Sequence, residues 1–158
     1  MKIAVISDTH KIKKYIELSK KYIDGADVLI HLGDNSEDIE ELTMDFKGEV
    51  YGVRGNCDYI NKYPNEQLLI LGGKRIFITH GHIYGVKNGM MNILYKGEEL
   101  GADIILFGHT HIALIEEYKG IIIMNPGSVS LPRIEERFIG FIELEEGIKP
   151  TLNLKKIK

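Results

Sequence analysis

The chain has 158 residues, 44% of them hydrophobic and 27% charged. That is the length of one ordinary domain, with enough bulk to bury a core without disulfides. Lys+Arg number 20 against 23 Asp+Glu, a formal charge of −3, which excludes a strongly basic nucleic-acid coat and an acidic tail. The single cysteine, Cys57, excludes an intramolecular disulfide and a thiolate zinc cluster. Lys2 to Ile6 predicts a buried strand that stops at Ser7-Asp8. This run is too short for a signal-peptide core, and no stretch reaches the ~18 apolar residues of a membrane helix, so a cytoplasmic protein is expected. Ile12, Ile16 and Ile23, spaced among lysines, predict an amphipathic helix ended by Gly25. Asp27 to Leu32 is a second apolar run, stopped by Gly33-Asp34-Asn35. Ser36 is placed to cap a helix with Glu37 and Asp38 in its first turn, running to Phe46-Lys47-Gly48. Glu49 to Val53 is a third strand, stopped by Arg54-Gly55-Asn56-Cys57-Asp58. This alternation predicts βαβ units and parallel pairing.

The pattern then changes. Gln67 to Leu71 and Arg75 to Thr79 predict a hairpin over Gly72-Gly73-Lys74. Val86 to Leu100 fits a helix with Met90, Ile93 and Leu94 inward. Asp103 to Phe107 is a strand stopped by Gly108-His109-Thr110-His111. Ile112 to Tyr118 and Ile121 to Met124 form a second hairpin, and Phe138 to Leu144 and Thr151 to Ile157 are closing strands. No boundary or repeat interrupts the chain, so a single α/β domain over residues 1–158 is expected, with two packed sheets flanked by helices.

Five apolar strands end directly at polar clusters: Asp8-Thr9-His10, Gly33-Asp34, Gly55-Asn56-Cys57-Asp58, His80-Gly81-His82 and Gly108-His109-Thr110-His111. Loops at the carboxyl ends of parallel strands converge, so one crowded site is expected. Its donors are Asp8, His10, Asp34, Asn56, His80, His82, His109 and His111, oxygens and imidazoles without thiolate. Such a set suits Mn, Fe, Ni, Zn or Mg. It is too large for one ion, and a two-metal site with ions ~3.5–4 Å apart would use it. His31, inside its strand, is expected in the core or supporting a ligand.

These motifs, in this order, resemble the calcineurin-like metallophosphoesterase superfamily. Asn125-Pro126-Gly127-Ser128 adds likeness to its small bacterial and archaeal phosphodiesterase branch, which also includes the eukaryotic retromer subunit. The resemblance runs from Met1 to about Leu144 and implies a four-layer α-β-β-α sandwich. It implies Asp8, His10, Asp34 and His111 at a first metal, and Asp34, Asn56, His80 and His109 at a second, with Asp34 as bridge. It also implies phosphodiester hydrolysis by in-line attack of a metal-bridging hydroxide, with two divalent cations, Mn or Ni favoured.

The chain departs from much of the superfamily at Cys57, where a histidine that assists the leaving group is common. Cys57 is read as a packing residue ahead of a weak acid, so substrates with good leaving groups are expected. His82 is the candidate substitute, with support of a ligand as its other reading. Asp58 is expected to orient Asn56 or a turn rather than move a proton. Thr9, Thr110 and Ser128 are read as turn residues, and Arg54 and Arg133 as surface cations. A metal-binding scaffold with little catalysis is the alternative; intact ligand positions favour the enzyme. The expected partner is a small phosphate ester, with no membrane and no nucleic acid, because the lysines at 11, 13, 14, 20 and 21 read as a solvated helix face. Tyr59, Tyr63 and Tyr84 leave self-association open.

Overall fold

The first strand, β1 (Lys2–Ile6), is apolar without interruption because both of its faces are covered. Ile3 and Val5 join one hydrophobic cluster, Ala4 and Ile6 another, as the two-residue period of a strand requires. The computed structural model describes residues 1–134 and 136–158 and extends this arrangement through two sheets. After β1 come α1 (Lys13–Ile23), β2 (Val28–His31), α2 (Asp38–Leu42) and β3 (Glu49–Gly52). The second half holds β4 (Glu66–Leu71), β5 (Lys74–Thr79), α3 (Met91–Glu99), β6 (Ile104–Leu106), β7 (Leu114–Tyr118), β8 (Ile121–Asn125), β9 (Arg137–Glu143) and β10 (Thr151–Ile157).

One five-stranded sheet has the order β10-β9-β1-β2-β3, with β1, β2 and β3 parallel. The other has the order β4-β5-β6-β8-β7, with β5, β6 and β8 parallel. Ile3, Val5, Ile30, Ile78, Leu106 and Met124 fill the space between the sheets. Ile16 and Ile23 of α1 and Leu42 of α2 cover the outer face of the first sheet. Ile93 and Leu94 of α3 cover the outer face of the second. These are the four layers expected, and truncating a fully buried residue such as Leu106 to alanine would cost about 2–5 kcal/mol.

Two local expectations change. The helix expected from Ser36 to Phe46 is only the five residues of α2, and Ser36 does not cap it. The Ser36 N–H instead donates to Asp58 at 2.7 Å, and at the other end the N–H and the hydroxyl of Thr43 both donate to the Ile39 carbonyl and close the helix. The helix expected over Val86 to Leu100 begins at Met91, after short 3₁₀ turns at His82–Tyr84 and Val86–Asn88. Gly89, at φ +134°, separates these turns from α3. Among the described residues no helix is long and apolar enough to cross a membrane.

Candidate metal centre

Each parallel strand stops where the backbone leaves its extended path. Asp8, His10, Asp34, His109 and His111 all have φ between 49° and 66°. Asp and His tolerate this left-handed region better than most residues, yet five occurrences in one place mark a constrained site. The reversal has a geometric use. After β1 and after β6, the turn draws residues i and i+2 out of the strand's path, so Asp8 and His10 reach one donor group while His109 and His111 reach two different ones. Close approach then demands small residues. A Cβ at Gly55 would collide with the Asp34 carboxylate, and one at Gly108 with Ser7 and Asp8.

Two groups of donors result. Asp8, His10, Asp34 and His111 can present ligand atoms that all lie within 4.8 Å of one another, as can Asp34, His80 and His109. Asp34 belongs to both groups. Its Oδ1 lies 3.4 Å from His80 Nε2 and its Oδ2 lies 4.0 Å from His10 Nε2. Asn56 stands exposed on the loop after β3, its side-chain amide 3.6 Å from Cys57 Sγ.

The carboxylates are divided between bracing and the site. Asp8 Oδ2 accepts from the Ser7 hydroxyl at 2.5 Å and the His109 N–H at 3.2 Å. Asp8 Oδ1 is buried and receives no aligned hydrogen bond, although His111 Nε2 lies 3.0 Å away. An orphaned buried carboxylate oxygen is costly unless a cation or proton meets it. Burial pushes the Asp8 pKa up, but His111, His80 and Ser7 outweigh it and hold it below the usual range. Burial also opposes ionisation of Asp34, and the contacts with His80 and the Cys57 N–H hold that carboxyl well below it.

The imidazoles are oriented from behind. His80 Nδ1 lies 2.7 Å from the Leu32 carbonyl and His111 Nδ1 lies 2.6 Å from the Leu131 carbonyl. A carbonyl only accepts, so both Nδ1 atoms carry the proton and both Nε2 atoms face inward as donors to a cation. His80 Nε2 then sits 3.2 Å from His109 Nδ1, and His111 Nε2 sits 3.3 Å from His10 Nε2. Facing nitrogens and an orphaned carboxylate oxygen fit divalent cations. Against burial, the contact with Asp34 leads the carboxylate influences that raise the His80 pKa, and the close approach of Asp8 leads those that raise His111. Burial, then the charge of His80, depresses His109 to about 4.

The remaining sequence candidates are arranged as follows. His82 packs its ring 5.4 Å from that of His80 and 6.1 Å from that of His109, and its buried Nδ1 has no partner. Burial and then His80 lower its pKa, so a neutral ring stands beside the second group. Cys57 is half-buried at the rim, not packed in the core. Burial and then Asp34 push its thiol up to about 11. Asp58 accepts from the backbone N–H groups of Asp34 at 3.0 Å, Ser36 at 2.7 Å and Gly55 at 2.6 Å. It clamps two loops together. Arg54 is engaged by Asn61 and the Asp58 carbonyl. Tyr59 is 94% exposed, whereas Tyr84 is half-buried with its hydroxyl donating to Glu66.

Sequence reasoning places Asn125 and Ser128 in a family motif and reads Ser128 as a turn residue, but gives neither a part at the site and does not single out Ser130. Asn125, at the end of β8, donates to the Gly108 carbonyl and to Thr110 Oγ1, each at 2.9 Å. Ser128 donates to the Asp8 carbonyl at 2.7 Å, and Ser130 to the Thr9 carbonyl at 2.6 Å. A sixth polar cluster after an apolar strand was their available signal. His31 is fully buried, accepts from the Gly33 N–H at Nδ1 and meets Thr9 Oγ1 through Nε2. Burial lowers its pKa to about 4, so it is a neutral part of the scaffold behind Asp34.

Comparison with known proteins agrees with this construction. The family profile of the calcineurin-like phosphoesterase superfamily domain matches residues 1–147. The chain is similar to the probable metallophosphoesterase YsnB of Bacillus subtilis, with 39% identity over 136 residues, covering 85% of this chain and 78% of the relative. The structure of the Escherichia coli phosphoesterase Yfce superposes with a TM-score of 0.69 at 26% identity, covering 90% of this chain and 88% of that one. A variant of Vps29 from Entamoeba histolytica shares the fold at a TM-score of 0.79 and 17% identity, with full coverage of both chains. With motifs, layers and donor geometry in agreement, the chain belongs to the calcineurin-like phosphoesterase superfamily.

Proposed function

We propose that the chain hydrolyses small phosphodiesters using two divalent cations, Mn or Ni by preference, in the cytoplasm. The observation that carries this reading is Asp34, whose two oxygens face two separate donor groups. Asp8, His10, Asp34 and His111 would hold the first cation; Asp34, Asn56, His80 and His109 would hold the second. Bound there, the cations would lower the pKa of water toward neutrality and offset charge on the phosphoryl oxygens. Asp34 is held ionised, so it can lie between two cations and reduce their repulsion. The carbonyls of Leu32 and Leu131 keep His80 and His111 in the tautomer that points Nε2 inward. His82, beside the second group and neutral, orients a phosphoryl oxygen by hydrogen bonding. Asp58 keeps Asp34 and Gly55 in register and takes no proton.

Cys57, with its thiol pushed up to about 11, is a poor general acid at neutral pH. Leaving groups that need little protonation, such as nitrophenolates, are therefore the expected substrates. The test is hydrolysis of bis(p-nitrophenyl) phosphate with added Mn²⁺ or Ni²⁺. Turnover that requires metal and disappears in Asp34→Ala and His80→Ala is expected. Absence of metal-dependent turnover, or variants as active as the parent, would leave the scaffold reading standing instead.

A further inference from the structure

Beside the donor groups the surface opens into a cavity of about 450 Å³. This is the size of a small-ligand site, and its walls have the mixed character such sites show. Val86 and Phe107 are buried in it, Met90 and Leu114 are half-buried, and Ile112 is exposed. Two cations, Lys87 and Arg133, stand on the same walls, and both side chains are exposed. Neither Lys87 nor Arg133 has an ion-pair partner among the described residues. Hollows of 320 and 370 Å³ lie over the α1–α2 face and beside Met1 and Asp27; no metal donor lines any of the three, and the 450 Å³ cavity is set apart by Thr110, which stands between two of the donors.

The wall of the cavity adjoins the metal centre through the chain. Thr110, which lines it, stands in sequence between His109 and His111 and is held by Asn125. The Arg133 N–H donates to the His111 carbonyl at 3.1 Å, so the segment carrying Arg133 is tied to a metal donor. Lys87 follows Val86, which packs against Gly81 between His80 and His82, so the opposite wall is tied to the second donor group. The segments that carry His80, His109 and His111 thus also build an apolar wall bearing two positive charges.

We infer that this cavity holds the organic arm of the ester, a ring-sized apolar group carrying a second anionic substituent that pairs with Lys87 and Arg133. The inference rests on the phosphodiesterase reading above and deepens it by naming the substrate class. Phe107, Met90 and Leu114 exclude water from the ring, which strengthens the charge pairing at the rim. A simple alkyl ester would fill the cavity poorly and leave both cations unpaired. A carboxylate and a second phosphate share the required chemistry, and the arms of the test separate them.

The test uses two probes that cannot be hydrolysed, 4-carboxyphenylphosphonate and 1,4-phenylenebisphosphonate, with methylphosphonate as the control without a ring. Titrations are followed by the methyl resonances of Met90, Ile112 and Leu114, in EDTA-treated and in Mg²⁺-loaded protein. Both ring probes are expected to shift these methyls in each state, and methylphosphonate is not. Tighter binding of the bisphosphonate would assign the second anion as a phosphate, and tighter binding of the carboxylate would assign it as a carboxylate. Lys87→Glu combined with Arg133→Glu should weaken ring-probe binding about tenfold. Leu114→Asp should lower kcat/KM for bis(p-nitrophenyl) phosphate relative to methyl p-nitrophenyl phosphate. Methyl shifts that appear elsewhere, or charge-reversed protein that binds as well as the parent, would overturn the subsite. If metal-dependent turnover persists in that case, the phosphodiesterase reading survives without it. Shifts at the three methyls without any turnover would overturn the catalytic reading and keep the subsite.

Discussion

The two sheets bring different chemistry to the same edge. The loops after β1, β2 and β3 supply both carboxylates, the side-chain amide of Asn56 and only one imidazole, His10. The loops after β5 and β6 supply His80, His109 and His111, imidazoles alone. Neither set would hold two cations by itself. The first is rich in negative charge and would bind protons or ions loosely, and the second has no group to offset charge between two metals. The seam between the sheets is therefore part of the site. His80 is aimed by a carbonyl from the loop after β2, and Asp8 is braced by the N–H of His109. Each half orients donors of the other.

The sharpest test of this division is metal stoichiometry. Asp34→Ala removes the one residue common to both groups and should lower turnover by roughly 10³-fold or more. Calorimetry should show that the variant no longer binds two cations, whereas His109→Ala should keep the first site. Equal stoichiometry in the two variants would break the comparison. Asp58→Ala leaves three buried N–H groups without an acceptor and should cost at least about 3 kcal/mol, read from urea unfolding of metal-free protein.

The scaffold of the first sheet should also be acid-sensitive in a defined window. Burial holds the folded pKa of His31 at about 4, below the 6.5 of an exposed histidine. The unfolded chain therefore takes up a proton at this residue first as pH falls. Stability should drop by roughly 3 kcal/mol between pH 6.5 and 4, at about 1.4 kcal/mol per pH unit for one proton. Metal-free His31→Asn should show a flatter pH profile over that range. The smallest effect concerns the second sheet: Asn125→Ala frees the loop that carries His109 and His111, and metal affinity should fall about 10–100-fold.

Much of this was legible in the chain itself. Apolar runs ending in Asp, Asn and His set the strand ends and the donor types, because strand pattern and ligand chemistry are local properties. The order of the motifs carried the family resemblance. Local pattern failed where tertiary partners competed with it. Ser36 has the composition of a helix cap, but Asp58 captures its N–H from 22 residues away. Cys57 has the composition of a core residue, yet stands at the rim beside Asp34.

The sequence alone determined which groups could bind metal and that strand ends would carry them. Only the tertiary structure decided their pairing. His10 and His111 stand 101 positions apart, yet their ring nitrogens are 3.3 Å from each other. No local periodicity encodes such a distance, because it arises from stacking two sheets through a shared core. The left-handed turns, the carbonyls that set each tautomer and the cavity shared by Lys87 and Arg133 follow from that stacking for the same reason.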